Sequence, residues 1–129
     1  MKLLRSRSGF TIIELLVVMS IIGILLTLAQ PNYKQATIKA REAALKRDLG
    51  TFRDVIDQYS ADQGQYPLSL DELKEKGYLR QIPVDPFTRL STSWVEINVE
   101  SEGGEETGVY DVHSGSDMVA LDGTAYNEW

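Results

Sequence analysis

There is no cysteine in this chain of 129 residues. A domain outside the cytoplasm would therefore do without the covalent staple that small secreted domains often use. Its stability must draw on something else, such as a bound metal or neighbouring subunits. Basic charge is missing from the C-terminal part. After Arg89 there is no Lys or Arg, while nine acids are found there: Glu96, Glu100, Glu102, Glu105, Glu106, Asp111, Asp117, Asp122 and Glu128. With a net charge of −6, no nucleic acid is expected as a partner, because phosphate binding needs clustered Lys and Arg. An acidic tail of this kind reads either as a solvated surface or as oxygen ligands for a hard cation. Histidine is nearly absent too. A catalytic zinc normally takes three protein ligands, so His113, the only histidine, reads as a strand-end side chain without a metal role. Charge of either sign is nearly missing from Phe10–Gln30, where Glu14 is the only ionisable residue.

That last absence decides the class. The run is 21 residues long. As a helix rising about 1.5 Å per residue it would be roughly 32 Å long, enough to cross the hydrocarbon of a bilayer. Lys2, Arg5 and Arg7 precede it without any acid, which keeps that flank cytoplasmic and sends the rest of the chain outward. Two other readings compete. A cleaved secretory signal would end at Thr27-Leu28-Ala29 and release a secreted calcium-binding module starting at Gln30. The apolar run exceeds the usual ~7–15 residues of such signals, and an acid inside it is unexpected. A plain membrane anchor leaves Glu14 unexplained, because an ionisable group in an apolar span costs at least about 2.5–3.5 kcal/mol. The remainder of the chain, about 100 residues, has room for one domain with a small core.

Gly9-Phe10-Thr11-Ile12-Ile13-Glu14-Leu15-Leu16-Val17-Val18 resembles the processing site of type IV pilins and type II secretion pseudopilins. The resemblance implies that a prepilin peptidase cuts between Gly9 and Phe10 and methylates the new amine of Phe10. Residues 1–9 are then a leader and no part of the fold. Glu14 becomes the fifth mature residue, where the family keeps a glutamate thought to pair with the N-terminal amine of a neighbouring subunit. A buried carboxylate needs such a cationic, hydrogen-bonded partner, so Glu14 is assigned to subunit docking and extraction from the membrane. An acid near a helix start is also favoured by the macrodipole. Pro31, at a position where the family often has proline, removes an amide donor and crowds the carbonyl of Thr27, so a kink is expected. With Gly23, a second weak point, it bounds a stretch that reads either as a simple bend or as helix that loosens on assembly.

Further on, Ile38, Leu45, Phe52 and Tyr59 recur every seven residues, with Leu49 and Ile56 between them. This apolar stripe on one helical face is expected to bury against a sheet, while Lys34, Lys39, Arg41, Lys46, Arg47 and Arg53 populate the other faces. The helix should end near Gly64. Ser69-Leu70-Asp71-Glu72 is a capping-box pattern that opens a short helix to about Lys76, closed by Gly77. Both prolines of Ile82-Pro83-Val84-Asp85-Pro86 oppose helix and central strand. Val95, Ile97 and Val99 alternate with Trp94, Glu96 and Asn98, which predicts a half-buried strand. Glu100 to Gly108 reads as a polar turn, Val109 to His113 as a second strand and Ser114 to Trp129 as a loop-rich end. The fold class is α+β and type IV pilin-like, with a long N-terminal helix packed on a small antiparallel β-sheet. The helix has a transmembrane half over 10–30, and its amphipathic half belongs to a periplasmic globular domain over 31–129.

This order of elements resembles the pseudopilin globular domain, and Gly64-Gln65-Tyr66-Pro67 and Pro83-Val84-Asp85-Pro86 look like loop motifs of the major pseudopilins. Those proteins bind calcium in a C-terminal loop, whose match here is 114–123. The resemblance implies carboxylates from Asp117 and Asp122 and hydroxyl or carbonyl oxygens from Ser114 and Ser116, a donor set suited to calcium. The spacing is not that of an EF-hand, and an ion-free turn stays open. Ser114, Ser116, His113 and Asp117 invite a hydrolase reading, but they are neighbours in one turn without a nucleophile-elbow motif; no enzyme is expected.

The implied function is structural: a subunit that polymerises through its N-terminal helix into a periplasmic pseudopilus driving protein export across the outer membrane. The implied partners are further copies in a homopolymer, minor pseudopilins, the inner-membrane assembly platform with its ATPase, the prepilin peptidase and the membrane itself. The rival is a type IV pilus pilin for adhesion or motility. The missing C-terminal cysteine pair and the calcium loop favour the pseudopilin.

Overall fold

The computed structural model describes residues 9–104 and 106–129. The chain divides into two compact units, Met1–Thr37 and Ile38–Trp129. Residues 1–8 of the expected leader lie outside the described residues.

The first unit holds the opening of helix α1, Ile12–Gln63. Its start is set by local chemistry. Thr11 Oγ1 accepts the amide of Glu14 at 3.2 Å, satisfying one of the donors a helix leaves free at its beginning. An 18-residue window of α1 is apolar enough to cross a membrane, and none of it is buried within the chain. Both hydroxyls inside this stretch turn back on the helix: Ser20 donates to the carbonyl of Leu16 at 2.8 Å and Thr27 to that of Gly23 at 2.9 Å. Neither therefore brings an unsatisfied polar group into hydrocarbon.

In the second unit the apolar stripe of α1 faces inward, as its spacing requires. Leu45, Leu49, Phe52, Ile56 and Tyr59 are each at most 2% exposed. Ile38, at the edge of the stripe, is only half-buried. α1 stops where Gly64 turns to φ +72°, its amide bonding the carbonyl of Ser60 at 2.9 Å. Helix α2, Leu70–Glu75, begins with Ser69 Oγ accepting the Glu72 amide at 3.3 Å. The return arm of the expected capping box goes elsewhere. Glu72 Oε2 accepts the amide of Leu68 at 2.6 Å, and Oε1 accepts the Tyr59 hydroxyl at 2.7 Å. Lys76 adds its ammonium to both Tyr59, at 3.0 Å, and Glu72, at 3.3 Å. The Leu68 amide first, then the Tyr59 hydroxyl, hold the Glu72 carboxyl below its ordinary pKa. A helix of six residues is too short to stand alone, and these bonds tie it to α1.

Strands β1, Val95–Glu100, and β2, Glu106–His113, pair antiparallel. Two expectations need correction. β2 begins at Glu106 rather than Val109, so the polar turn is shorter than 100–108. The alternation assigned to β1 does not hold either. Val95 is 45% exposed, whereas Trp94, placed on the outer face from sequence, is in the core. The reason is that the indole meets both its needs there. Its ring lies edge-on to Phe52, 5.0 Å between centroids, and Nε1 donates to the carbonyl of Pro83 at 2.7 Å.

A bulge sets the phase of β2. Ile97 pairs with Asp111 but Asn98 with Val109, which leaves Tyr110 as the extra residue. Side chains alternate faces along a strand, so Val109 and Val112, three apart, would otherwise point opposite ways. With the bulge between them both are fully buried. They join the α1 stripe, Leu70, Leu73, Leu79, Trp94, Ala120 and Tyr126 in one core.

Candidate functional site

Two regions carry the residues singled out from sequence. The first is the start of α1. Gly9, Phe10 and Thr11 belong to no regular element, and Phe10 is 87% exposed. Glu14 stands in the first turn of α1, exposed like the apolar residues around it. Pro31 falls inside α1, which is helical on either side of it.

The second region is the segment 114–123, and the structure separates its four candidate ligands. Ser114 is fully buried. Its hydroxyl donates to Asp85 Oδ2 at 2.5 Å and accepts the amide of Ser116 at 3.2 Å. Ser116, also buried, accepts the amide of Met118 at 3.2 Å. Both hydroxyls are thus engaged in holding the segment. Asp117 and Asp122 are exposed. Asp122 Oδ1 accepts the hydroxyl of Thr124 at 2.6 Å and its amide at 3.0 Å, which together hold its carboxyl below the usual range. Among the described residues no three His, Cys, Asp or Glu side chains converge as a metal cluster. Oxygen donors fit calcium, and of the four expected ligands Asp117 and Asp122 are the two with exposed side chains. The family resemblance implies hydroxyl or carbonyl oxygens from Ser114 and Ser116; their hydroxyls bond within the fold.

Other residues position this segment without a plain signal in the sequence. Asp85, fully buried, accepts the Phe87 amide through Oδ1 at 2.8 Å while its other oxygen takes Ser114. Asp before Pro in a stiff loop hints at an Asx-turn, but not at a partner 29 residues away. Gly115 runs so close to the backbone of Ser93 that a Cβ would collide with its carbonyl. Phe87 stacks on Tyr126 at 3.8 Å. Glu42, from α1, accepts the amide of Leu121 at 3.0 Å and the hydroxyl of Tyr126 at 2.9 Å. Burial, and then this bond to Glu42, push the Tyr126 hydroxyl up to about 12.

Arg53 closes the arrangement: Nε donates to Asp111 at 2.8 Å and a terminal nitrogen to the carbonyl of Trp129 at 2.6 Å. Burial by itself raises the Asp111 carboxyl, but the bonds from Arg53 and from the Val112 amide outweigh it and hold the group below its ordinary value. His113 Nε2 lies 3.5 Å from Asp111 Oδ2.

Residues 4–29 match the family profile described as the prokaryotic N-terminal methylation motif. The chain is similar to type II secretion system core protein G of Pseudomonas aeruginosa, 33% identical over 99 residues that cover 64% of this chain and 70% of that protein. It is 32% identical to the protein of the same description from Aeromonas hydrophila, over 64% of this chain and 69% of that one. With the Vibrio cholerae protein it shares 30% identity over 102 residues, 67% of this chain and 70% of that one. No solved structure matches the chain.

Proposed function

The chain belongs to the family of type II secretion system core protein G, and from that premise we propose that it is a pseudopilin, a structural filament subunit rather than an enzyme, whose N-terminal helix is both membrane anchor and assembly element. Glu14 carries the reading. It is the lone ionisable side chain in an apolar run whose membrane-spanning window has no burial in its own chain. In hydrocarbon such a carboxyl costs at least about 2.5–3.5 kcal/mol. Cleavage after Gly9 frees the amine of Phe10, and the amine of an adjoining copy supplies the cation that Glu14 lacks. Assembly then removes the cost, which favours leaving the bilayer for the filament.

The basic residues Lys2, Arg5 and Arg7 support a leader on the cytoplasmic side, and on this reading the second unit faces the periplasm. Further copies, minor pseudopilins, a prepilin peptidase and an inner-membrane assembly platform are the partners this reading requires. Glu14→Ala tests it. Intact mass should still show a methylated start at Phe10, and the chain should stay in the membrane. Filaments sheared from cells and counted by electron microscopy should fall at least tenfold. A normal filament yield refutes the pairing.

Calcium is the second part of the proposal. Asp117 and Asp122 would hold it, together with backbone carbonyls of 114–123, and the ion would neutralise two carboxylates in a stretch without basic residues. A ligand bound only by the native state adds stability. Chelation should therefore lower the melting temperature of the wild-type chain but not that of Asp117→Ala or Asp122→Ala. A wild-type midpoint indifferent to chelator sinks this part alone.

A further inference from the structure

Gly50 sits in the interior of α1, where glycine weakens a helix relative to alanine. A Cβ added there would meet nothing within 4 Å, so no neighbour in its own chain requires the glycine. Beside it the second unit opens a notch of about 490 Å³, floored by Leu49 and Gly50, walled by Lys46, Arg53 and Trp129, and rimmed by Asp122, Thr124 and Glu128. The walls are already set. Arg53 is held by Asp111 and by the carbonyl of Trp129. The Trp129 indole donates to the Thr124 hydroxyl at 2.7 Å and lies edge-on to Tyr126, 5.0 Å between centroids. Lys46 Nζ rests 4.8 Å above the indole ring. Preformed walls lower the entropic cost of taking up an occupant.

Charge indicates what the occupant is. Lys39, Lys46 and Arg53 recur every seven residues, which places them on one face of α1. Among the described residues only Arg53 of these three has a carboxylate within ion-pair distance; Lys46 acts on the Asp122 carboxylate only at longer range. The region beyond Arg89 is the reverse, with nine acids and no base. Of the described acids in it only Asp111 is ion-paired; Glu100, the last residue of β1, and Glu102, in the turn that follows, are exposed. Charges left unpaired within one copy can be paired between two. We propose that the notch over Gly50 seats a second copy of this chain, which brings Glu100 and Glu102 against Lys39 and Lys46. This rests on the filament reading above and adds to it a contact outside the apolar run.

The chain has no thiol of its own, so Gly50→Cys lets maleimide labelling report on this notch alone. The thiol should label rapidly in unassembled, membrane-embedded protein and at least tenfold more slowly in sheared filaments. Gly50→Leu, which fills the notch, should keep the Phe10 start and a thermal midpoint no lower than wild type while lowering filament yield at least tenfold. Lys46→Glu should lower the protection of Gly50→Cys, and Glu100→Lys with Glu102→Lys should restore it. Equal labelling before and after assembly overturns the proposal. So does a thiol already shielded before assembly, which assigns the notch to lipid or another protein, and so does failure of the charge swap to restore protection. Should the wild-type chain make no filaments at all, the filament reading itself falls, an outcome no Gly50 variant can imitate.

Discussion

Ser114→Ala separates a clasp from a metal ligand. The Ser114 hydroxyl makes two bonds, one to the carboxyl of Asp85 and one from the amide of Ser116. Alanine removes both. A bond to a charged group is worth about 1.5–3 kcal/mol and a neutral one about 0.5–1.5 kcal/mol. Asp85 is 0% exposed and has no solvent to fall back on, so a loss of roughly 2–4 kcal/mol is expected. For a unit of about 90 residues that lowers the melting temperature by about 10–20 °C. Both tryptophans, Trp94 and Trp129, lie in the second unit, so tryptophan fluorescence of the full-length chain in detergent reports its unfolding. The melt is run in excess calcium and in excess chelator. A clasp predicts the same drop in both. A drop under about 3 °C, or one confined to the calcium sample, refutes the reasoning and returns the hydroxyl to the metal. A double-mutant cycle with Asp85→Asn should show a coupling of about 1–3 kcal/mol.

The same geometry sets two more outcomes. Glu42→Ala removes the acceptor shared by the Leu121 amide and the Tyr126 hydroxyl; it should cost about 1–3 kcal/mol and speed hydrogen exchange at Leu121, and unchanged exchange there counts against it. The Asp111 carboxyl is held below its ordinary pKa in the fold, chiefly by Arg53 acting against burial. Its contribution is therefore complete above the unfolded value of about 3.9 and fades as pH falls through the lower folded value. Urea melts of wild type and Asp111→Asn should differ at pH 5 and converge as pH falls below about 4, and a gap that persists at the lowest pH contradicts it.

The helix boundaries were readable because local chemistry sets them. Gly64 takes a positive φ that other residues resist, and Ser69 offers its oxygen to the first turn of α2. The inward stripe of α1 was equally plain, since apolar spacing on a regular helix leaves one choice of face. The sheet was less legible. The facing of Val95 and Trp94 depended on where an indole could find both an aromatic neighbour and an acceptor, and neither neighbour is near in sequence. The phase of β2 depended on a bulge at Tyr110 for which the residue pattern carries no mark.

By itself, then, the chain order of residues decided the features that match the N-terminal methylation motif and suit a membrane: a basic start, an apolar run, a lone acid and a glycine before phenylalanine. These are one-dimensional properties, because hydrocarbon thickness and charge act on a single helix without reference to the rest of the chain. The roles of Ser114, Asp85, Glu42 and Arg53 were decided only in three dimensions. Each bonds a partner between 29 and 84 residues away, and hydrogen bonding depends on distance and direction that spacing along the chain does not encode. That is why four candidate ligands in one short segment resolved into two buried struts and two exposed carboxylates.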